Sequence, residues 1–295
     1  MSSRWTPDAE IALPRPAGVY DHLLGGVHNF VVDRAFAAEL LRVYPQAELL
    51  AHANRAFFGR AVRQLAESGV RQFLDIGSGI PDIGAVHQIA HAADPAARIV
   101  YADLDPVIVD QTRTMLAGNP HVLAVEGDLR TPDQILHHPQ VVELLDFAEP
   151  VAVLTVAVWP FIADAADPPA IVDRIADVLT PGSYLVVSHP CPADTPQEHA
   201  QQDAARRLYQ RTPTPVVLRD RSQIVGLFGG KFDLLPPGLA TAAAWHPDPD
   251  EPAPPPSPAL LAAVGRRRSD HTTHASPSPG PPDPRGDRPV RDSSP

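Results

Sequence analysis

A turn with two glycines, shortly after an acidic residue, is the feature of this sequence that most clearly predicts a ligand site. The segment Phe73–Pro81 reads FLDIGSGIP, in which Asp75 lies near the end of an apolar run and Gly77 and Gly79 follow it. Glycines let the backbone approach a ligand with no Cβ in the way. In an open α/β sheet, ligands bind outside the carboxyl ends of the strands. We therefore predict that Asp75, Gly77 and Gly79 border a bound ligand.

Two further acidic residues follow the next predicted strands. Asp103 and Leu104 end the second apolar run, and Asp128 and Leu129 follow the third. A carboxylate after the second strand can accept hydrogen bonds from both hydroxyls of a ribose, and one after the third can accept from the exocyclic amine of adenine. Because acids recur in order at three strand ends, they predict a ligand that contains adenosine.

The charge around the glycine turn distinguishes between ligands of this kind. Dinucleotide sites usually have a third glycine and a helix N-terminus that faces a pyrophosphate, whereas Asp82 occupies that position here. We expect Asp82 to lie at the start of a helix, where it would repel a phosphate, and Asp75 adds a second negative charge. S-adenosylmethionine (SAM), which carries a sulfonium and an ammonium, fits this charge. An NAD(P)-dependent oxidoreductase is the less favoured alternative.

Apolar runs alternate with helical patterns through the middle of the chain. Pairs of Asp followed by Pro, which are typical of helix N-termini, predict helices from Asp105 to about Ala117 and from Asp167 to about Leu179. The runs predicted as buried strands are Arg71–Ile76, Arg98–Asp103, Val122–Gly127, Pro150–Val158 and Ser183–Ser188. Buried strands that alternate with helices predict a doubly wound, mostly parallel α/β sheet of the Rossmann type.

The N-terminal part of the chain has a helical pattern of its own. Asp33 is predicted to cap one helix, and a second helix is predicted from Ala47 to Ser68, with Gly69 as its stop. We expect these helices to pack beside the sheet or across its ligand edge. Residues 1–69 are therefore predicted to form a helical arm or cap.

The C-terminal part of the chain is rich in proline. The stretches that begin at His246 and Ser269 contain too little apolar surface to offset chain entropy and are predicted to be disordered or extended. Between them, Ala259–Gly265 is predicted to form a last strand. Beyond the cap, the chain is thus divided into a SAM-binding core over residues 70–268 and a disordered tail over residues 269–295.

Composition excludes several classes of protein. The 24 Lys and Arg residues against 35 Asp and Glu residues give a net charge of −11, which argues against a nucleic-acid-binding surface. A single Cys excludes a disulfide scaffold. No apolar run approaches the roughly 20 residues of a membrane span, and no apolar signal segment precedes the helices. We therefore expect a soluble, cytoplasmic protein, with its oligomeric state undetermined.

Several longer segments extend the pattern around the glycine turn. They read FLDIGSGIP, VYADLDPVIV, EGDLR, VAVLTVAVWPFIAD and PGSYLVVSH, and Val19–Phe30 and Ala53–Phe57 add two N-terminal segments. Over roughly residues 4–268, these segments resemble the class I SAM-dependent methyltransferases, and more narrowly an actinobacterial family once catalogued as a domain of unknown function. The resemblance implies a seven-stranded Rossmann-like sheet, SAM as the cofactor and methyl transfer as the activity.

The resemblance also implies positions for the parts of the cofactor. It places Asp75, Gly77 and Gly79 around the methionine. It places Asp103 on the ribose and Asp128 near the adenine. These are the residues that the strand ends already single out.

Other segments of the resemblance concern the edges of the site. The segment YDHLLGG, which contains Tyr20, Gly25 and Gly26, is a candidate to close over the cofactor. Trp159–Phe161 stands where the family tends to have Leu-His-Phe, which removes a polar group from a rim where substrates usually enter. Leu261–Arg266 stands where the family tends to have Tyr-Gly-Gly-Val-Gly-Arg in its final strand.

No catalytic base is singled out by the sequence. Methyl transfer from a sulfonium is an in-line displacement, in which the main task is to align the acceptor and the methyl group about 3 Å apart. An acceptor that is already a good nucleophile needs no base, so His189, Tyr20 and Asp21 are candidates only. Trp159 and Phe161 are predicted to belong either to the core or to the mouth through which the acceptor enters, and the second is preferred because the end of the fourth strand adjoins the site.

The leading interpretation is a SAM-dependent methyltransferase with an unidentified, small-molecule acceptor. A SAM-binding regulator or scaffold without turnover is the alternative. His28, His87 and His91 are predicted to be surface or packing residues, because no third ligand follows at a spacing typical of zinc sites, and no metal is expected.

Overall fold

The computed structural model describes residues 13–82, 84–248 and 259–269 of the 295-residue chain. The strands are β1 Gln72–Ile76, β2 Arg98–Asp103, β3 Val122–Glu126, β4 Ala152–Val156, β5 Tyr184–Pro190, β6 Phe232–Leu234, β7 Ala240–Thr241 and β8 Leu260–Arg267. The α-helices are α1 Pro16–Leu23, α2 Val31–Val43, α3 Ala47–Glu67, α4 Val86–Ala93, α5 Pro106–Met115, α6 Pro132–Leu136, α7 Pro139–Leu144, α8 Pro168–Val178, α9 Pro196–Tyr209 and α10 Arg221–Gly226. Two short 3₁₀ turns, Trp159–Phe161 and Asp164–Ala166, follow β4.

The strands form one sheet in the order β3-β2-β1-β4-β5-β8-β6, and the two-residue strand β7 pairs with β8. The pairs among the first five strands of this order are parallel, and β8 is antiparallel to β5, β6 and β7. The predicted doubly wound, mostly parallel α/β sheet is therefore confirmed. The described residues form eight strands rather than seven, because β7 adds a short pairing beside the main path.

Apolar clusters cover both faces of the sheet. Phe73 and Leu74 are neighbours in β1, yet Phe73 belongs to a cluster with helix α3, whereas Leu74 belongs to a cluster with helix α8. Successive side chains of a strand point to opposite faces. The near-continuous apolar runs of the sequence arise because helices cover both faces, as parallel sheets require.

The predicted elements of the core are present with small changes at their ends. The side chain of Asp105 accepts a hydrogen bond from the backbone N–H of Val107, and that of Asp167 accepts from Ala170, so both predicted N-caps are confirmed. The predicted last strand extends two residues further than expected, to Arg267, because it pairs with β5 on one side and β6 on the other. The proline-rich residues 249–258 and the predicted tail from 270 onward lie outside the described residues.

The prediction that Asp33 caps a helix is confirmed, but the residue does so from the first turn of the helix. Helix α2 begins at Val31, so Asp33 lies in its first turn rather than at its N-cap. The fully buried carboxylate accepts hydrogen bonds from the backbone N–H groups of Arg15, at 2.8 Å, and Phe30, at 2.9 Å. Asp33 therefore fixes the residue before α1 against the start of α2, a contact between segments that helix periodicity does not reveal.

The N-terminal helices pack partly on one another and partly on the sheet. Helix α1, helix α2 and the beginning of α3 share an apolar cluster with α9, which includes Val19, Leu40 and Ala205. The later part of α3 packs on the sheet through Phe57 and Leu65. Helix α3 thus joins the predicted cap to the core, and the division into units at residue 69 stays a prediction.

Asp33→Ala should lower the free energy of unfolding by about 2 kcal/mol, because two backbone N–H groups lose a charged acceptor. Chemical denaturation followed by circular dichroism measures this change. Glu39→Ala on the same helix is the control, because the Glu39 carboxylate pairs with Arg42 and Arg211 at the surface and should contribute less than about 1 kcal/mol. Equal losses in the two variants would contradict the role of Asp33.

Candidate active site

A cavity of about 1200 Å³ lies at the carboxyl ends of β1 to β4, between this edge of the sheet and helices α1, α2, α3 and α9. Its lining includes most of the residues that the sequence singles out: Tyr20, Asp75, Gly77, Gly79, Asp103, Leu104, Asp128 and Leu129. Gly25 and Gly26 do not line it; they border a smaller adjoining cavity of about 260 Å³, together with Tyr20 and Gly79. The topology thus brings the predicted strand-end residues together and leaves the glycine pair to one side.

The glycine turn is held by the end of strand β2. The backbone N–H groups of Gly77 and Ser78 donate to the carbonyl of Ala102, at 2.8 and 3.2 Å. Gly77 and Gly79 have φ values of +69° and +59°, which glycine adopts most easily. A Cβ on Gly77 would collide with the side chain of Val158. The turn therefore requires glycine at Gly77, both for its conformation and for its close approach to the end of β4.

Asp103 also fixes the glycine turn. Its carboxylate accepts hydrogen bonds from the backbone N–H groups of Gly79 and Asp105, each at 2.9 Å. Burial raises the pKa of Asp103, although these two hydrogen bonds oppose the rise. The binding of a ribose hydroxyl would therefore use the remaining acceptor positions on a carboxylate that already organises the turn.

Asp75 is a buried carboxylate with few compensating interactions. It is 5% exposed, and none of the described residues donates a hydrogen bond to its side chain. Burial raises the pKa of Asp75 to about 7, with a further rise from the nearby charge of Asp103 and an opposing effect of Arg55. A cation brought into the cavity would stabilise the ionised form of Asp75.

Asp128 already has a cationic partner. Arg130 donates to its carboxylate from the side-chain Nε, at 2.8 Å, and from the backbone N–H, at 2.9 Å. Burial alone would raise the pKa of Asp128, but the hydrogen bonds and charge of Arg130 outweigh it and lower the pKa. Asp128 therefore stays ionised, and an adenine amine would share it with Arg130.

The predicted position of Asp82 is wrong. Helix α4 begins at Val86, so Asp82 lies in the loop before the helix rather than at its first turn. Its carboxylate approaches the His28 ring at 3.2 Å, and His28 donates its backbone N–H to Asp21 at 2.9 Å. Asp21, His28 and Asp82 therefore join the loop after α1 to the loop after the glycine turn. Repulsion of a phosphate at a helix N-terminus does not apply here.

The candidate bases are poorly placed to take a proton from an acceptor. His189 and Asp21 do not line the main cavity. The fully buried His189 ring contacts Arg219 at 3.0 Å, and burial lowers its pKa to about 4. Tyr20 lines the cavity, but its hydroxyl donates to the carbonyl of Ala51 at 3.1 Å and burial raises its pKa. Tyr20 is therefore neutral and hydrogen-bonded.

The prediction for the aromatic pair after β4 is right for one residue and wrong for the other. Phe161 lines the cavity and contacts the ring of Tyr209 edge-on, with centroids 6.0 Å apart. Trp159 is fully buried in the core, where its indole N–H donates to Thr155 at 2.9 Å. The 3₁₀ turn directs the two side chains differently, which could not be inferred from their spacing.

His87 and His91 contact neighbouring groups of the fold, and Cys191 is buried. His87 hydrogen-bonds the Tyr101 hydroxyl at 2.8 Å, and His91 contacts the carbonyl of Ala97 at 3.0 Å, so their predicted packing roles are confirmed. Cys191 is buried, and burial raises its pKa to about 11.

Two parts of the cavity were missed by sequence reasoning. Arg55 of helix α3 lines the cavity. It lies in the segment Ala53–Phe57, which resembles the methyltransferase family, but the sequence does not show that its side chain faces the site. The wall formed by α9 and residues 213–218 was missed because α9 is rich in polar and charged residues, a composition typical of a solvated helix. Within the described part of the chain, no helix combines the length and the hydrophobicity needed to cross a bilayer.

The fold and the cavity define an α/β protein of the Rossmann type with a ligand site at the carboxyl ends of its central strands. A family model described as S-adenosyl methyltransferase matches residues 4–268. The chain belongs to this family of SAM-dependent methyltransferases. Its cofactor is therefore SAM, and this overturns the alternative of an NAD(P)-dependent oxidoreductase.

Two solved structures are similar over nearly their whole length. A candidate methyltransferase from Thermobifida fusca is 34% identical, with a TM-score of 0.82, over 90% of this chain and 100% of that chain. A DUF574 family protein from Streptomyces avermitilis is 32% identical, with a TM-score of 0.79, over 86% of this chain and 98% of that chain. Both organisms are actinobacteria, in agreement with the predicted family. A search of the curated proteins finds no match.

Gly77→Ala should weaken SAM binding by at least about tenfold, because the new Cβ displaces either the turn or the side chain of Val158. Isothermal titration calorimetry measures the affinity. Gly84→Ala is the matched control, since Gly84 has a similar φ of +75° but no described atom within 4 Å of the added Cβ. If Gly84→Ala weakens binding as much as Gly77→Ala, the close approach at Val158 is not what matters.

Proposed function

We propose that this methyltransferase holds SAM through Asp75, Asp103 and Asp128 and transfers its methyl group to a small, largely apolar acceptor bound beside it. The binding of SAM is supported by one observation, which is that all three carboxylates line the same cavity. A cofactor with a sulfonium and an ammonium is complementary in charge to this set, and ribose hydroxyls and an adenine amine are hydrogen-bond donors that carboxylates accept.

The residues present fit such a cofactor. Gly77 and Gly79 leave room for a ligand beside the strand ends, and Asp75 offers an unpartnered carboxylate within the described part of the cavity. When bound, SAM supplies an electrophilic methyl group. The chain supplies binding groups, and its N-terminal helices and α9 form walls that would shield a bound ligand from water.

The second part of the proposal rests on the size and chemistry of the opposite wall. A cavity of about 1200 Å³ exceeds the usual range of about 300–1000 Å³ for a single small ligand. Most of the side chains on this wall are apolar or aromatic, although Gln202 and Arg206 of α9 also line it, Arg206 being paired with Asp203. The apolar and aromatic residues include Leu40, Tyr44, Phe161, Ala205, Tyr209 and Leu218. An uncharged, largely apolar molecule suits such a wall better than an ion or a polar macromolecule.

The same wall limits the chemistry of the acceptor. Among the described residues that α2, α9 and residues 213–218 contribute to it, none is a carboxylate, an imidazole or a thiol. This wall can therefore align an acceptor and exclude water, but it offers no group that would remove a proton from it. The acceptor is therefore a nucleophile in the form in which it enters, such as a neutral aromatic nitrogen or an acidic phenol or thiol. The predicted cytoplasmic location and the lack of a nucleic-acid partner stay predictions.

Calorimetry and methylation of cell-extract fractions test this function. The protein should bind SAM and S-adenosylhomocysteine but not NADH, and with labelled SAM it should methylate a component of the small-molecule fraction. Label found only in the protein or nucleic-acid fraction would contradict a small acceptor. Binding of SAM without label in any fraction would favour the regulator or scaffold instead.

The affinity for SAM should rise about tenfold from about pH 6 to about pH 7.5. Burial raises the pKa of Asp75 to about 7, so below this pH the carboxyl is protonated and no longer attracts a cation. Calorimetry in a pH series measures this dependence. Asp75→Asn should remove it, whereas Asp128→Asn should retain it, because Arg130 keeps the pKa of Asp128 low and this group stays ionised throughout. An equally steep rise in Asp75→Asn would show that another group titrates.

A further inference from the structure

Arg55 differs from the other arginines of the cavity. Arg15 pairs with Asp105, Arg130 with Asp128 and Arg206 with Asp203. Among the described residues, no carboxylate forms an ion pair with Arg55, and its Nε atom is buried without a hydrogen-bond partner. A partly buried charge without a counter-ion is costly. The position of Arg55 therefore favours the binding of an anionic group of a ligand.

Two aromatic rings hold the Arg55 guanidinium in place. Its central carbon lies 5.5 Å from the centroid of the Tyr20 ring and 5.3 Å from that of Phe58. Contacts with ring faces orient a guanidinium and attract it, but they leave its charge and its N–H donors available. The rings thus position Arg55 without neutralising it.

Arg55 lies at the end of the cavity that contains the glycine turn. It borders both the main cavity and the smaller one, and the residues that share this position with it are Tyr20, Ser78, Gly79 and Ala17. Its charge also lowers the pKa of Asp75, so the two groups lie within electrostatic range. The Arg55 guanidinium and the Asp75 carboxylate therefore face the same end of the cavity without forming an ion pair.

We propose that Arg55 binds the carboxylate of the methionine part of SAM. The amino-acid end of SAM carries an ammonium and a carboxylate on one carbon, and Asp75 and Arg55 supply the opposite charge for each. The planar guanidinium fork matches a carboxylate and can bind it through two parallel hydrogen bonds. This assignment rests on the proposed function, because it requires that SAM occupies the cavity.

Calorimetry with two ligands tests the assignment. The ligands are SAM and decarboxylated SAM, which has the same sulfonium and amine but lacks the carboxylate. Wild-type protein should bind SAM at least about tenfold more tightly than decarboxylated SAM. Arg55→Met should abolish this preference by weakening the binding of SAM more than that of decarboxylated SAM, and Arg55→Lys should retain part of it. Arg63→Met is the control, because Arg63 is an exposed residue of the same helix outside both cavities.

The outcomes separate this assignment from the proposed function. Equal affinity of the wild-type protein for the two ligands, or an equal loss of both in Arg55→Met, would show that Arg55 does not bind the carboxylate. A wild-type protein that binds neither ligand would overturn the proposed function and this assignment with it. The wild-type comparison needs no variant, so it decides the matter even if Arg55→Met fails to fold, which a thermal unfolding curve would reveal.

Discussion

The burial of the Asp75 carboxylate is the constraint on which the site depends. Strand β1 lies between β2 and β4, so a side chain near its carboxyl end is surrounded by neighbouring strands and by the glycine turn. A carboxylate in such a place is poorly solvated, and its ionised form needs hydrogen bonds or nearby positive charge. No described residue donates a hydrogen bond to Asp75, so positive charge is what remains. Arg55 supplies a part of that charge, and in the proposed function the bound cofactor supplies the rest.

The hydrogen bonds of the glycine turn explain why this edge of the sheet does not suit a pyrophosphate. Phosphate sites of Rossmann folds use free backbone N–H groups of the turn and of the helix that follows. Here the N–H groups of Gly77 and Ser78 donate to Ala102, and that of Gly79 donates to Asp103. Three donors that could hold a phosphate are thus occupied by the protein itself. The glycine turn therefore disfavours a pyrophosphate through its own hydrogen bonds, without a contribution from Asp82.

The sequence could predict the parts of the site that follow from strand ends. Strand periodicity identified the carboxyl ends of β1, β2 and β3, and the topology of parallel sheets then required Asp75, Asp103 and Asp128 to lie along one edge. The positions of these three residues can be predicted without knowledge of tertiary packing, because the place of a residue on a strand determines its place in the sheet.

The rest of the site could not be predicted because it depends on packing between distant segments. Arg55 lies in a helix whose apolar pattern predicts only that one face is buried, and its contact with Tyr20 depends on how α1 crosses α3. The helix starts near Asp33 and Asp82 were misplaced by a few residues, since loops and helix starts are not fixed by periodicity. Trp159 and Phe161 are two residues apart, yet the 3₁₀ turn buries one in the core and exposes the other to the cavity.

A chain of hydrogen bonds connects the two halves of the cavity and has a consequence for catalysis. The backbone N–H of Ala157, after β4, donates to Ser188 of β5 at 2.9 Å, and Ser188 donates to Asn54 of α3 at 2.6 Å. Asn54 donates in turn to the Tyr20 hydroxyl of α1 at 2.9 Å. Because most of these hydrogen-bonded groups are buried, breaking the hydrogen bonds would leave polar groups without partners.

These hydrogen bonds fix helix α1 and helix α3 relative to the strand ends. The wall that would face the acceptor and the edge that would hold the cofactor are thereby parts of one hydrogen-bonded framework. Methyl transfer depends chiefly on alignment of two reacting atoms, so errors of about 1 Å are costly. In a cavity with no base within its acceptor wall, the fixed relation between α1, α3 and the sheet is the main means by which this chain can accelerate the reaction.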